Sequence, residues 1–293
     1  MLQLSEVLNA LRRLFDPKSH TKCPPPKVML PEYPGGLLSW ICSNEFGTRH
    51  ATLLDPADQS AEVAAAKALA AVEGGSKLIL VGGSTNTPEN KVHDTVVGIQ
   101  EALELRVWAA SQDSTVDEED WRIPVILFPG GAHALSSSAD AILFMMLMNS
   151  TTPRFLVEEQ VKGATWLHEA GIEMLPTAYL ICEPGGKAGE VGQANLLNSP
   201  EDIRAYSLCA KGYGMKILYL EAGSGAPSPL DSEMIRSAEG ECVFVGGGIR
   251  TTEQAISAKE AGASWIVTGT IVEEQEDLDQ IRLTIEELVS ALN

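Results

Sequence analysis

A closed (β/α)8 TIM barrel is the fold this sequence predicts, and three observations carry the prediction. Apolar, β-rich runs alternate with helix-patterned segments eight times within roughly 250 residues, the order a parallel barrel requires. The last three runs each stop at glycine. Residues 217–220 precede Glu221 and a Gly223-Ser224-Gly225 turn, 243–245 precede Gly246-Gly247-Gly248, and 265–268 precede Gly269-Thr270. Such turns let backbone N–H groups approach an anion, and loops after the late strands are where barrels hold phosphate. The first βα turn carries Asp55-Pro56 in place of a glycine fingerprint, which disfavours an open doubly wound sheet. The G-x-x-x-x-G-K-[ST] signature of nucleotide triphosphatases is absent too.

The elements follow in order. Residues 1–35 read as an N-terminal extension ahead of a single barrel domain over 36–293. Leu4, Val7, Leu8, Leu11 and Leu14 recur at helical spacing before Pro24-Pro25-Pro26 ends the pattern. The expected role of the extension is packing over the barrel's end or against another subunit. A helical turn around Trp40 leads to a strand over 50–54, then an alanine-rich helix over 60–72. A strand over 77–81 ends in Gly82-Gly83-Ser84, and a helix follows over 90–105. Residues 112–120 are acidic and polar, as befits an exposed loop. Strands over 124–128 and 141–147 lie too close together for a full crossover helix, so the third helix is expected to be truncated or irregular. A helix over 154–170, a strand over 175–181, a glycine-rich loop over 184–192 and a helix over 200–213 complete the run to the late strands. Helices over 233–238, 252–261 and 275–292 alternate with and follow these.

Bulk properties narrow the class. With 44% hydrophobic residues, mean hydropathy +0.02 and no apolar run long enough for a bilayer, no transmembrane segment is expected. The five cysteines, 23, 42, 182, 209 and 242, contain no C-x-x-C pair, so neither disulfides nor structural zinc are expected and the cytoplasm is the natural compartment. Forty acidic against 21 basic residues give a net charge of −19, which disfavours nucleic acid and anionic lipid as partners. An anionic substrate would need local amides or a metal.

Polar residues at C-terminal strand ends carry the chemistry of barrels. Asp55 and Ser84 close neighbouring strands, and a carboxylate with a hydroxyl is a partial shell for Mg²⁺. The structural alternatives are an Asx turn or N-cap for Asp55 and capping for Ser84. Glu221 ends an apolar strand beside the glycine turn and is a candidate general base, with a salt-bridged structural carboxylate as the alternative. Tyr219 alternates with it and fits the core equally well. Gly247, Gly248, Gly269 and Thr270 offer N–H groups to one phosphate, unless the glycines serve packing alone. His20, His93 and His168 read as surface or satisfied residues, and His50 and His133 have no partner at metal-ligand spacing.

At these residues the chain resembles the geranylgeranylglyceryl phosphate synthase family, in its longer-motif archaeal and bacterial branch. The resemblance rests on YLEAGSGAP, VGGGIRT, IVTGTIVEE, LLDP, LVGGST, VILFPGG, NSTTPRFLVEEQVKG and PTAYLICEPGGKAGEVGQA, in that family's order from about Leu37 to the C-terminus. It implies a (β/α)8 barrel whose third helix is replaced by an irregular strand. The implied reaction joins a polyprenyl diphosphate to the C3 hydroxyl of sn-glycerol 1-phosphate, releasing pyrophosphate, for ether-lipid synthesis. It further implies Mg²⁺ on Asp55 and Ser84, and glycerol phosphate on Tyr219, Leu220, Glu221, Ala222, Gly223, Ser224, Gly225, Gly247, Gly248, Gly269 and Thr270. Glu221 corresponds to the base, with Tyr219 orienting the hydroxyl beside it. The prenyl tail is expected in a groove lined by the first strands and their helices. A homo-oligomer and transient membrane contact for the lipid product are expected as well. The family often carries a lysine soon after Asp-Pro, where this chain has Ala57-Asp58-Gln59. A sugar-phosphate isomerase or aldolase would want a strand-end lysine or a His/Asp pair, and no such lysine is found. A non-catalytic barrel fits poorly with the retained Asp55, Ser84 and Glu221.

Overall fold

Parallel strands pair in chain order and close on themselves. The computed structural model describes residues 27–57, 59–83, 87–113 and 115–293. The helix pattern over 4–14 and Ser84 lie outside them. The strands are β1 (Arg49–Leu54), β2 (Leu78–Gly82), β3 (Val125–Phe128), β4 (Ala141–Leu147), β5 (Glu173–Ile181), β6 (Ile217–Glu221), β7 (Cys242–Gly246) and β8 (Trp265–Thr268), with β8 paired to β1. Every pairing is parallel, so all C-terminal ends open at one mouth. Glu221 stands opposite Gly246, and Gly246 opposite Val267, which levels the three late turns.

The two-residue period of the strands splits the apolar residues into two layers. Ala51, Leu80, Ile126, Tyr219, Phe244 and Trp265 fill the lumen. Leu54, Ile79, Leu127, Leu220, Val245 and Ile266 face the helices. Within the lumen Tyr219, Phe244 and Trp265 stack successively, with ring centroids 5.8 and 5.5 Å apart. At the opposite end from the mouth, helix Gly36–Ile41 closes the barrel. Its Trp40 and the lumen's Trp265 flank the Arg49 guanidinium at 4.7 and 4.1 Å, and Arg49 Nη2 donates to the Ile41 carbonyl at 2.6 Å. Among the described residues that cation is thus held by rings and carbonyls and not by a carboxylate.

Helix ends follow local chemistry. Ser60 Oγ accepts from Val63 N–H ahead of Ala61–Glu73, Ser199 caps Pro200–Gly212, and Thr251 with Gln254 forms a capping box before Thr252–Glu260. Several boundaries differ from the sequence expectation. The helix expected to stop near 105 runs through Glu89–Ser111, and the glycine-rich stretch read as a loop contains helix Gly186–Gly192. The segment starting at Arg154 begins as a π-helical turn, Arg154–Glu158, before α-helix Glu159–Glu169.

Between β3 and β4 there is neither a helix nor a strand, only turns over 129–140. The expected irregular strand is therefore not present. Without a crossover helix, part of β4 has no cover, and Phe144, Met145 and Met146 remain half-buried in an otherwise buried strand. Among the described residues no helix is long and apolar enough to cross a membrane.

Candidate active site

The end of β6 supplies the central carboxylate. Tyr219 and Glu221 face inward, whereas Leu220 and Ala222 are buried in the outer layer. Gly223 N–H donates to Glu221 Oε1 at 2.6 Å. Burial pushes the Glu221 carboxyl up to about 7, against the pull of that N–H. The Tyr219 hydroxyl feels the charge of Glu221 closely enough to be raised well above the ordinary phenol value, burial being the larger cause. Its geometry nevertheless completes no hydrogen bond among the described residues, leaving a buried donor beside the chamber. Close approach explains the glycines opposite. Gly247 has φ +86°, and a Cβ there would stand 2.5 Å from Glu221 Oε1. No side chain fits without displacing the carboxylate.

Across the mouth, Asp55 Oδ1 accepts from Ala57 N–H at 2.8 Å, the Asx turn considered from sequence. Asp55 N–H donates to Glu273 Oε1 at 3.1 Å, tying the turn after β1 to helix Thr270–Glu273. Asp55 Oδ2 lies against Gly83, where a Cβ would be only 2.0 Å away. One oxygen thus serves the turn, while the other faces the end of β2, next to Ser84 in sequence. Among the described residues no three His, Cys, Asp or Glu side chains converge as a metal cage. Oxygen donors in small number suit Mg²⁺, which keeps its waters and draws other ligands from phosphate.

These groups meet in one chamber. Asp55, Tyr219, Glu221, Ser224, Gly247, Gly248, Gly269 and Thr270 line it together. Leu220 and Ala222 lie behind the sheet, Gly223 spends its N–H on Glu221, and Gly225 shapes the turn with φ +72°. Sequence reasoning missed Phe128, Tyr179, Lys187, Arg250 and Glu273, which also line the chamber. Phe128 and Tyr179 were hidden inside apolar strands, although both sit near strand ends. Glu273 is marked by its reach back to Asp55, whose N–H its Oε1 accepts. His50, for which the sequence offers no partner at metal-ligand spacing, is buried behind β1 and bonded to the Ser76 and Thr268 hydroxyls. Burial lowers it to about 3, so it stays neutral.

Beside the chamber runs an apolar groove lined by Leu135, Phe144, Met145, Phe155, Gly163 and Leu167 among others. It follows the flank of β4 and helix Glu159–Glu169, the space a third crossover helix would occupy. The apolar lining runs along β3 and β4, where the helical layer is interrupted, whereas the groove for the tail was expected along the first strands and their helices. Glu159 accepts from Ala132 N–H at 2.9 Å and Arg154 Nε at 2.9 Å, so it pins the turn that forms one wall. Gly83, Phe128, Tyr179 and Ala188 line both groove and chamber and form the seam between them.

Comparison with known proteins agrees with this geometry. The PcrB family pattern matches residues 43–288. The chain is 44% identical over 252 residues to the geranylgeranylglyceryl phosphate synthase of Methanococcoides burtonii, covering 84% of this chain and 94% of that one. It superposes with a TM-score of 0.73 at 33% identity on the (S)-3-O-geranylgeranylglyceryl phosphate synthase of Thermoplasma acidophilum solved with its substrate sn-glycerol-1-phosphate, over 86% of this chain and 96% of that one. The corresponding enzyme of Thermoplasma volcanium gives 0.75 at 36% identity, over 87% and 97%.

Proposed function

The chain belongs to the PcrB family, and on that premise we propose that it joins a polyprenyl diphosphate, geranylgeranyl in the first instance, to the C3 hydroxyl of sn-glycerol 1-phosphate. The observation that carries this reading is the shared lining of groove and chamber, which brings an apolar tail and a polar acceptor together at one seam. The N–H groups of Gly247, Gly248, Gly269 and Thr270 supply donors for the phosphomonoester, which bulk charge would repel. Glu221, with the Tyr219 hydroxyl beside it, orients the C3 hydroxyl and takes its proton as the oxygen bonds to C1 of the prenyl chain. The C1–oxygen bond to the diphosphate breaks in the same transfer, and the electron pair leaves on the diphosphate. Asp55 and Ser84 would hold Mg²⁺, which when bound supplies charge neutralisation for the leaving group. Phe128 and Tyr179 exclude water from the seam, so the allylic carbon meets the alcohol first. The groove gains about 0.8 kcal/mol per buried CH₂, which makes the tail a large part of donor affinity. The reading also carries a cytoplasmic enzyme, a homo-oligomer and brief membrane contact when the product departs.

Incubating the protein with labelled sn-glycerol 1-phosphate and C10–C35 prenyl diphosphates, with and without Mg²⁺, is expected to yield an organic-extractable phosphoether that requires both substrates. Absence of that product from every donor would end the proposal.

The groove supplies a second expectation. A Cβ at Gly163 would find Leu135, Ala132 and Leu167 at 3.6–3.7 Å, so a methyl fits, and a ring would have to project into the groove that Gly163 lines. Gly163→Phe should raise KM for a C20 donor about tenfold or more while sparing a C10 donor, since several buried methylenes are lost. Equal effects on both chain lengths would place the tail elsewhere.

A further inference from the structure

We infer that Lys187 is the protein cation that receives the diphosphate of the prenyl donor, an assignment that rests on the function proposed above. The chamber is short of positive charge. Asp55, Glu221 and Glu273 line it in a chain of net charge −19, and both proposed substrates are anions. Neighbouring cations are already engaged. Lys67 Nζ donates to the Glu273 carbonyl at 2.8 Å, and Lys91 Nζ to the Ala57 carbonyl at 2.7 Å. Arg250 lines the chamber but pairs with Glu274 at 3.0 Å. Lys187 lines the chamber with an exposed side chain and makes no hydrogen bond or ion pair among the described residues.

Backbone packing sets where this cation stands. Gly185 N–H donates to the Ala222 carbonyl at 3.0 Å, and a Cβ on Gly223 would come within 2.8 Å of the Gly186 nitrogen. The start of helix Gly186–Gly192, which carries Lys187, is thereby pressed onto the turn after β6. The next residue, Ala188, belongs to the seam and touches both cavities. A donor whose tail fills the groove passes its head group by Ala188, within the span of a flexible lysine stem. As the C1–oxygen bond breaks, the electron pair stays on the diphosphate and the Lys187 ammonium hydrogen-bonds that anion. The proton from the acceptor hydroxyl goes separately to Glu221.

The test uses full-length Lys187→Met and Lys187→Arg, with KM for each substrate and calorimetric affinity for inorganic pyrophosphate. Lys187→Met should raise the diphosphate KM and weaken pyrophosphate binding by about tenfold, with KM for glycerol 1-phosphate moving less than about twofold. Lys187→Arg should restore most of the loss. Unchanged pyrophosphate affinity in Lys187→Met, no pyrophosphate binding by the wild type, or a defect confined to glycerol 1-phosphate would each overturn the assignment. Wild-type protein that binds pyrophosphate but forms no ether would remove the proposed reaction instead, and the pyrophosphate ratio would still decide Lys187.

Discussion

Replacing Glu221 with Gln is expected to lower turnover by about 10²–10⁴-fold, the range that a positioned general base supplies. Gln keeps the shape and still offers an oxygen to Gly223 N–H, which Glu221 accepts at 2.6 Å. The loss should therefore appear in kcat with the fold intact. Wild-type kcat/KM, which reports the free enzyme, should rise with pH through about 7, since burial raises the Glu221 carboxyl to that value and only the ionised form accepts a proton. The same shift makes a prediction for stability. The folded carboxyl holds its proton to higher pH than the unfolded one, so between about 4.5 and 7 the folded state binds more protons. Ligand-free stability should therefore fall as pH rises across that window, by up to about 3 kcal/mol, and level off above it. Glu221→Gln should lack this component. Parallel melting curves for the two proteins between pH 5 and 8 would rule out the buried, titrating carboxylate.

Changing Asp55 to Asn should reduce turnover at least about 100-fold, because a carboxylate facing the diphosphate is lost while an amide is a poor Mg²⁺ ligand. The turn itself should survive. Oδ1 of Asp55 accepts from Ala57 N–H at 2.8 Å, and an Asn oxygen can accept the same bond. A melting temperature within a few degrees of wild type, together with collapsed turnover, separates the two roles of this side chain. Wild-type turnover in Asp55→Asn, with unchanged Mg²⁺ response, would strip Asp55 of any metal role and leave only the Asx turn.

Particular residues show how far a one-dimensional reading reaches. Asp55, Glu221, Gly247 and Thr270 could be named because each ends an apolar run or lies in the turn just after one, and parallel strands deliver such positions to the same mouth. Tyr219 remained ambiguous, since the same phenol can fill a core or face a ligand. Its position in the lumen, with a hydroxyl lacking a partner among the described residues, comes from packing against Phe128 and Phe244. Leu220 and Ala222 entered through the motif that contains them, although strand alternation sends both behind the sheet. Lys187 sits inside one of the quoted motifs, but nothing periodic or positional in the sequence marked it as a site residue. Its place depends on Gly185 and Gly186 meeting Ala222 and Gly223, more than thirty residues onward.

What the sequence alone determined was the barrel, its order of strands, and the end at which carboxylates and glycine amides gather, because local periodicity and chain direction settle all three. Tertiary structure decided the rest: a groove beside β4, a seam built from Gly83, Phe128, Tyr179 and Ala188, and a carboxyl at Glu221 buried enough to titrate near neutrality. Those properties arise from desolvation and from contacts between distant segments, neither of which exists until the chain has closed.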